Sequence, residues 1–245
     1  MDRPARRNAL SRGLVAALHQ AVQEAGTTDG VRVVVLGGDG PAFCAGADIG
    51  EFASSAADGL ARSDAEGIVG LLGAMAASPL PIVARVHGAA FGGALGLICA
   101  ADIVVAADDA RFALSEARLG LVAAVIAPYV YAALGNREAR ARILRAAPFS
   151  AETALRIGLV HEVAPAGEID AAVDAVVADL LRGAPGALAT IKRLPEILGK
   201  NPTVIRNATV DLLAERLASE EGREGLAAFL EKRPPAWTVA NEAES

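Results

Sequence analysis

Aromatic residues make up only 4% of this 245-residue chain, and cysteine occurs twice. With 53% hydrophobic residues but so few rings, the core must be built from Ala, Val, Leu and Ile, which suits Ala-rich helices packed closely on a sheet. Cys44 and Cys99 form neither a C-x-x-C pair nor a Cys/His spacing suited to zinc, so no metal site is expected and both read as small buried hydrophobes in a reducing compartment. Positive charge is in deficit: the formal net charge of −6 argues against a nucleic-acid partner or an anionic membrane surface. No apolar run is long enough to span a bilayer, since Ala94 to Ala107 is short and carries Asp102. Met1 to Asn8 is charged and lacks the apolar centre of a secretory signal, so a cytoplasmic location is expected. Neither G-x-G-x-x-G nor G-x-x-x-x-G-K-[ST] occurs in a nucleotide-binding context.

What the chain does have is an alternation of strand-like and helix-like stretches. Ser11 is placed to cap a helix through Ala25, with Leu14, Leu18, Ala21 and Val22 as its apolar stripe and Gly26 as its stop. Val31–Leu36 reads as a buried strand, followed by a Gly-rich loop and a short helix that Asp48 could cap. Ser54 to Ser63 reads as a mobile loop, and Asp64–Ala77 as a helix closed by Ser78-Pro79. Further strands are expected at Ile82–Val86, Ile103–Ala107, Arg111–Ser115 and Leu159–Val163, and helices at Val122–Leu134, Arg137–Arg145 and Ala151–Ile157. From Ile169 the pattern is helical, broken at Pro185, Pro202 and Pro234-Pro235. The reading is an α/β core over residues 1–183 and a helical region over 184–245.

Two glycine-bearing loops follow buried strands: Ala45-Gly46-Ala47-Asp48, and Phe91-Gly92-Gly93 after Ile82–Val86. Glycines there can simply let a helix pack tightly on a strand. They also leave backbone N–H groups uncovered where a helix begins, and two such donors converging on one oxygen make an oxyanion hole. Glu116 stands among Leu114, Leu119, Leu121 and Val122. A carboxyl so surrounded has a raised pKa and can exchange protons near neutrality; the alternatives are a salt bridge to Arg118 or Arg111, or plain exposure. His87 reads as a hydrogen-bonded structural histidine.

From Arg3-Pro4-Ala5-Arg6-Arg7-Asn8-Ala9-Leu10 to Glu231-Lys232-Arg233, nearly the whole chain resembles the enoyl-CoA hydratase/isomerase, or crotonase, family. The motifs are R-P-x-x-x-N-A-L, A-F-C-A-G-A-D-I, H-G-x-x-x-G-G-A, A-D-I-V-V-A and F-A-L-S-E-A-R-L-G-L, joined by I-G-L-V-H-E-V and A-A-F-L-E-K-R. The resemblance implies a spiral of ββα units binding an acyl-coenzyme A thioester, as in fatty acid metabolism. Coenzyme A is then part of the substrate, with no separate cofactor, and the C-terminal helices assemble homotrimers or homohexamers. Carried over by position, the oxyanion donors are the N–H groups of Ala47 and Gly93, beside Gly92, and the catalytic acid is Glu116. Ala45, Asp48 and Ile49 line the adenine side, Arg6 or Arg7 lies near the phosphates, and Lys232 reaches a phosphate, of its own or of a neighbouring subunit. Phe229 is a further substrate-binding candidate, although it and Trp237 read better as core or interface anchors. One oxyanion donor is worth about 3 kcal/mol.

Two departures stand out. Family hydratases commonly carry a second glutamate one turn into the helix after the glycines, where this chain has Gly96. It thus resembles a single-glutamate branch, close to methylglutaconyl-CoA and carboxygeranoyl-CoA hydratases. The usual β-hairpin ahead of R-P-x-x-x-N-A-L is also missing, so either the true start lies upstream or the sheet lacks its first strands, which would leave an unpaired edge. Hydration of a 2-enoyl-CoA is the leading expectation. The alternatives are a double-bond-shifting isomerase and a paralogue that binds thioesters without turnover. The acyl pocket wall is expected from Phe52 to Leu72 and from the C-terminal helices.

Overall fold

The computed structural model describes residues 1–199 and 202–238, so the end of the expected helical region, 239–245, lies outside the described residues. Its centre is a four-stranded parallel sheet of order β1-β2-β4-β7: β1 is Val34–Leu36, β2 Ile82–Val86, β4 Ile103–Ala107 and β7 Glu162–Ala164. The short strands β3 (Ala89–Phe91), β5 (Arg111–Ala113) and β6 (Phe149–Ser150) form a second sheet, with β3 and β5 parallel and β5 and β6 antiparallel. The order β2-β3 then α4 (Gly93–Ala100), and β4-β5 then α5 (Ala127–Arg145), is the ββα repeat of the expected spiral.

Alternation along the strands decides what each face meets. Ile82, Ala84 and Val86 of β2, and Val104 and Ala106 of β4, join the main core with Leu71, Leu72 and Met75 of α3 (Ala61–Ala77) and Leu95 and Ile98 of α4. Val83 and Val105 point the other way, onto Ile169, Val173 and Val176 of α7 (Ile169–Leu181). A parallel sheet covered on both faces needs continuous apolar strands, which is what β2 and β4 supply.

Helix α1 runs from Arg12 to Thr27, and Ser11 Oγ accepts from Leu14 N at 3.2 Å as a cap should. It passes through Gly26, the expected stop, and its buried residues are Val15 and Val22, while Ala21 is exposed. The expected loop at Ser54–Ser63 is mostly helical: α2 spans Ile49–Ala57 and α3 begins at Ala61. Strand β1 is shorter and more open than its composition suggests. Among the described residues it pairs only with β2, and Val35 is 46% exposed, as befits an edge. The expected helices on either side of Gly135-Asn136 form α5, kinked where Gly135 leaves helical geometry at φ 70°, and α5 starts at Ala127, later than expected. The last strand is displaced to Glu162–Ala164, because Leu159 and Val160 are buried in the core ahead of it.

Helix α6 (Ala151–Arg156) precedes β7, and after α7 come α8 (Pro185–Lys192), α9 (Leu194–Leu198), α10 (Pro202–Ala218) and α11 (Glu220–Glu231). Two cations tie this region to the sheet. Lys192 Nζ bonds Leu80 O at 2.8 Å and pairs with Asp102, which also accepts from Ile82 N. Arg32, just before β1, donates to Gly183 O at 2.6 Å.

Candidate active site

The two glycine loops meet because each is stitched to β3. Cys44 N donates to Ala89 O at 3.1 Å and Phe91 N to Cys44 O at 3.0 Å, so residues 42–46 run alongside β3 as an extra ribbon. Leu10 then bridges the next residues, donating to Gly46 O at 2.8 Å and accepting from Asp48 N at 3.1 Å. In a parallel bridge of this kind the residue between those two, Ala47, turns its own N–H to the opposite side. Gly93 is the first residue of α4, and a first-turn N–H has no acceptor within its helix. Among the described residues neither N–H is donated to a protein acceptor.

The close approach requires glycine at two points. Gly46 has φ +92°, and a Cβ on it would lie 2.7 Å from Phe91 O. Gly92 has φ +53°, and a Cβ on it would lie 3.3 Å from Glu116 Oε1. A side chain at residue 46 would push apart the loops that carry Ala47 and Gly93, and one at residue 92 would crowd the Glu116 carboxylate.

Glu116 arrives from the other side of the same sheet. Phe91 pairs with Ala113, Gly92 N donates to Ala113 O at 2.7 Å, and the chain then passes through buried Leu114 into a single 3-10 turn, Glu116–Leu119. That short path lays the carboxylate over Gly92. Glu116 Oε2 is buried without a hydrogen-bond partner, and neither Arg111 nor Arg118 pairs with it. Burial lifts its pKa above the ordinary carboxyl value, opposed only by a bond from its own backbone. Ala47, Gly92, Gly93 and Glu116 all line one cavity of about 260 Å³, closed by Phe52, Ile68, Leu119, Leu121, Val122 and Ile126. The apolar neighbours that marked Glu116 in the sequence are therefore the walls of its pocket.

A shallower pocket adjoins it, sharing Ala45, Ala47 and Ile49 and adding Arg6, Arg7 and Asp48. Asp48 stands at the start of α2 but makes no side-chain cap, because Arg3 and Arg6 each hold one of its oxygens at 3.2 Å. Burial alone would raise its pKa; the two guanidinium groups outweigh it and hold the carboxyl below its ordinary value. Arg6 is thus shared between Asp48 and the pocket.

Phe229 and Lys232 line neither cavity. Phe229 is 81% exposed on α11 and Lys232 is the exposed left-handed residue that ends it, so Phe229 is no core anchor within one chain. The C-terminal helices also add nothing to the described lining of the Glu116 cavity, whose wall comes from α2, α3 and the approach to α5. Arg3 and Ile126 escaped the sequence reading. Ile126 Cγ2 would lie 2.5 Å from a Cβ at Gly96, with Leu72 Cδ1 at 3.2 Å, so the space over Gly96 is already filled. Only tertiary contact reveals that.

Histidine takes no part. The Gly40 carbonyl can only accept, so His87 Nε2 donates to it at 2.8 Å, and Nδ1 accepts from Arg85 at 3.1 Å. Burial pushes the Cys44 thiol up to about 11, which disqualifies it as a nucleophile. No cluster of metal-ligating side chains occurs among the described residues, and no described helix is long and apolar enough to cross a membrane.

Comparison with known proteins identifies the family and the fold. A probable enoyl-CoA hydratase of Rhodobacter capsulatus is 37% identical over 246 residues, 97% of this chain and 92% of that protein. A crystal structure of an enoyl-CoA hydratase from Shewanella pealeana superposes with a TM-score of 0.91 at 36% identity, covering 96% of this chain and 89% of that one. Pseudomonas aeruginosa AtuE superposes equally well, at 0.91 and 36%, covering 96% and 93%. The model of the family described as enoyl-CoA hydratase/isomerase matches residues 1–240, and the chain belongs to that family and has its crotonase fold.

Proposed function

We propose that this protein adds water across the double bond of a 2-enoyl-coenzyme A thioester, using Glu116 as its one acid–base group. The observation that carries the reading is a buried, unpartnered carboxylate oxygen in the same cavity as two N–H groups without protein acceptors. A thioester carbonyl resting on Ala47 N and Gly93 N gains most from them as it becomes an enolate oxygen, since fixed donors act on developing charge. Glu116, as carboxylate, takes a proton from water attacking the β-carbon; as carboxylic acid, it returns a proton to the α-carbon. Burial raises its pKa, which makes the protonated form easier to reach than for an ordinary carboxyl. The pocket lined by Arg6, Arg7, Ala45, Asp48 and Ile49 takes the coenzyme A portion, with the arginines nearest its phosphates.

A double-bond shift between 3-enoyl and 2-enoyl thioesters is the second reading. It is favoured by Ile126, which fills the space over Gly96 and leaves one acid to move one proton. Ultraviolet absorbance separates the two. Loss of the conjugated enoyl band from crotonyl-CoA, or from the branched, carboxylated methylglutaconyl-CoA, is expected for hydration; gain of that band from a 3-enoyl-CoA alone would replace the hydratase reading by the isomerase. Acyl-CoA binding without either change would make the chain a thioester-binding paralogue.

A further inference from the structure

Besides Glu116, one polar side chain lines the Glu116 cavity. Ser115 is its neighbour in sequence, and the remaining described lining residues are glycines or carry apolar side chains. The hydroxyl of Ser115 is left uncommitted by the way its backbone is held. Ser11, Ser150 and Ser219 each precede a helix with an extended backbone, at ψ 163°, 166° and 160°, and each hydroxyl accepts from a first-turn N–H. Ser115 precedes the turn Glu116–Leu119 at ψ 0° and makes no such cap. Arg118 N donates to Ser115 O at 3.1 Å and Leu121 N to Glu116 O at 3.0 Å, which fixes the backbone of both residues. Among the described residues the Ser115 hydroxyl has no hydrogen-bond partner.

We propose that Ser115 holds the water that attacks the β-carbon, in a cavity that has no second carboxylate to do so. The inference rests on the hydratase reading of the site. A water in an apolar cavity needs two or more polar partners, and among the described lining side chains only Glu116 and Ser115 offer them. One water hydrogen goes to the Glu116 carboxylate, whose Oε2 is buried with no protein partner, and the other to Ser115 Oγ. Both lone pairs of the water oxygen are then free to face the acyl chain. In the step itself one water proton passes to Glu116 while the oxygen bonds the β-carbon. The double-bond pair shifts to join the α-carbon to the carbonyl carbon, and the carbonyl pair moves onto the thioester oxygen at Ala47 N and Gly93 N. Glu116 then returns a proton to the α-carbon, and the second water hydrogen stays on the new hydroxyl. Ser115 neither gains nor loses a proton, which makes it a positioning residue. The place one turn into α4 cannot serve instead, because Ile126 and Leu72 fill the space over Gly96.

The test sets two reactions of the same protein side by side. Hydration, followed by ultraviolet absorbance on whichever of crotonyl-CoA and methylglutaconyl-CoA turns over faster, needs the held water. Exchange of the α-protons of butyryl-CoA in deuterium oxide, followed by mass spectrometry, needs only Glu116 and the two N–H donors. Ser115→Ala is expected to lower the ratio of hydration to exchange about tenfold, the worth of one hydrogen bond to the attacking group. The loss should fall on kcat, with KM for the enoyl thioester little changed. Ser115→Cys, close in volume but a weak acceptor, should behave like Ser115→Ala, whereas Ser115→Thr, which keeps the hydroxyl, should restore most of the ratio. If Ser115→Ala fails to fold, the comparison of Ser115→Cys with Ser115→Thr decides the matter alone. An unchanged ratio in Ser115→Ala, a ratio preserved in Ser115→Cys, or equal loss of both reactions overturns the water site and leaves the hydratase reading standing. Exchange by the wild type with no hydration of either thioester overturns the hydratase reading itself, and the water site with it.

Discussion

Glu116 sits in a setting whose two sides, neutral and charged, differ in their effect on folding. Its pKa is raised in the native state, so the folded protein holds this proton to higher pH than the unfolded chain. Stability contributed by the neutral carboxyl is full below the ordinary carboxyl pKa and falls as pH rises through the raised one. Glu116→Gln should therefore melt at a higher temperature than the wild type at neutral pH, with the gap closing in acid, while turnover of crotonyl-CoA drops at least about 10²-fold. Scanning calorimetry at two pH values and a crotonyl-CoA assay check both arms. Gly96 makes a second prediction at this scale. Gly96→Ala places a methyl against Ile126 and should cost about 1–3 kcal/mol by overpacking, whereas in an Ile126→Ala background the same methyl should fill space and cost less than its single-mutant value. A urea double-mutant cycle reads the coupling, and additive costs would count against the packing account.

At the scale of elements, the site is a junction of three short ribbons, residues 42–48, β3 and β5, held by backbone hydrogen bonds rather than by large side chains. Precision of this sort depends on Gly46. A side chain there would meet Phe91 O while straining a backbone at φ +92°. Gly46→Ala is expected to lower kcat for a 2-enoyl-CoA by about tenfold or more by separating the two donors, as loss of one oxyanion contact does, with far-ultraviolet circular dichroism little changed. Much of this was legible beforehand. The glycine loops, the strands β2 and β4 and the cap at Ser11 follow from local chemistry, and each was found where its residues lie. The strands β3 and β6 were not legible, because two or three residues carry no period. Asp48 looked like a helix cap, since sequence does not show that Arg3 and Arg6 reach its oxygens first.

At the scale of the whole molecule, the helices after α7 leave a large apolar surface uncovered: Leu213, Leu217, Leu226, Phe229 and Leu230 are all more than half exposed. Large apolar side chains exposed on two adjoining helices suit an association face, and we propose that they join copies of this chain into the expected homotrimer or homohexamer. Phe229→Asp should shift the protein to monomers in analytical ultracentrifugation without unfolding the α/β core; an unchanged sedimentation coefficient would remove this face from the interface.

By itself, the sequence determined where strands give way to glycine and which carboxylate is surrounded by apolar residues, because both are properties of neighbours along the chain. The tertiary structure alone decided that Ala47 and Gly93 open into the cavity of Glu116 and that Ile126 stands over Gly96. Those relations join residues tens of positions apart, and only the pairing of β3 with its two neighbouring ribbons and the packing of α4 and α5 bring them within reach of one another.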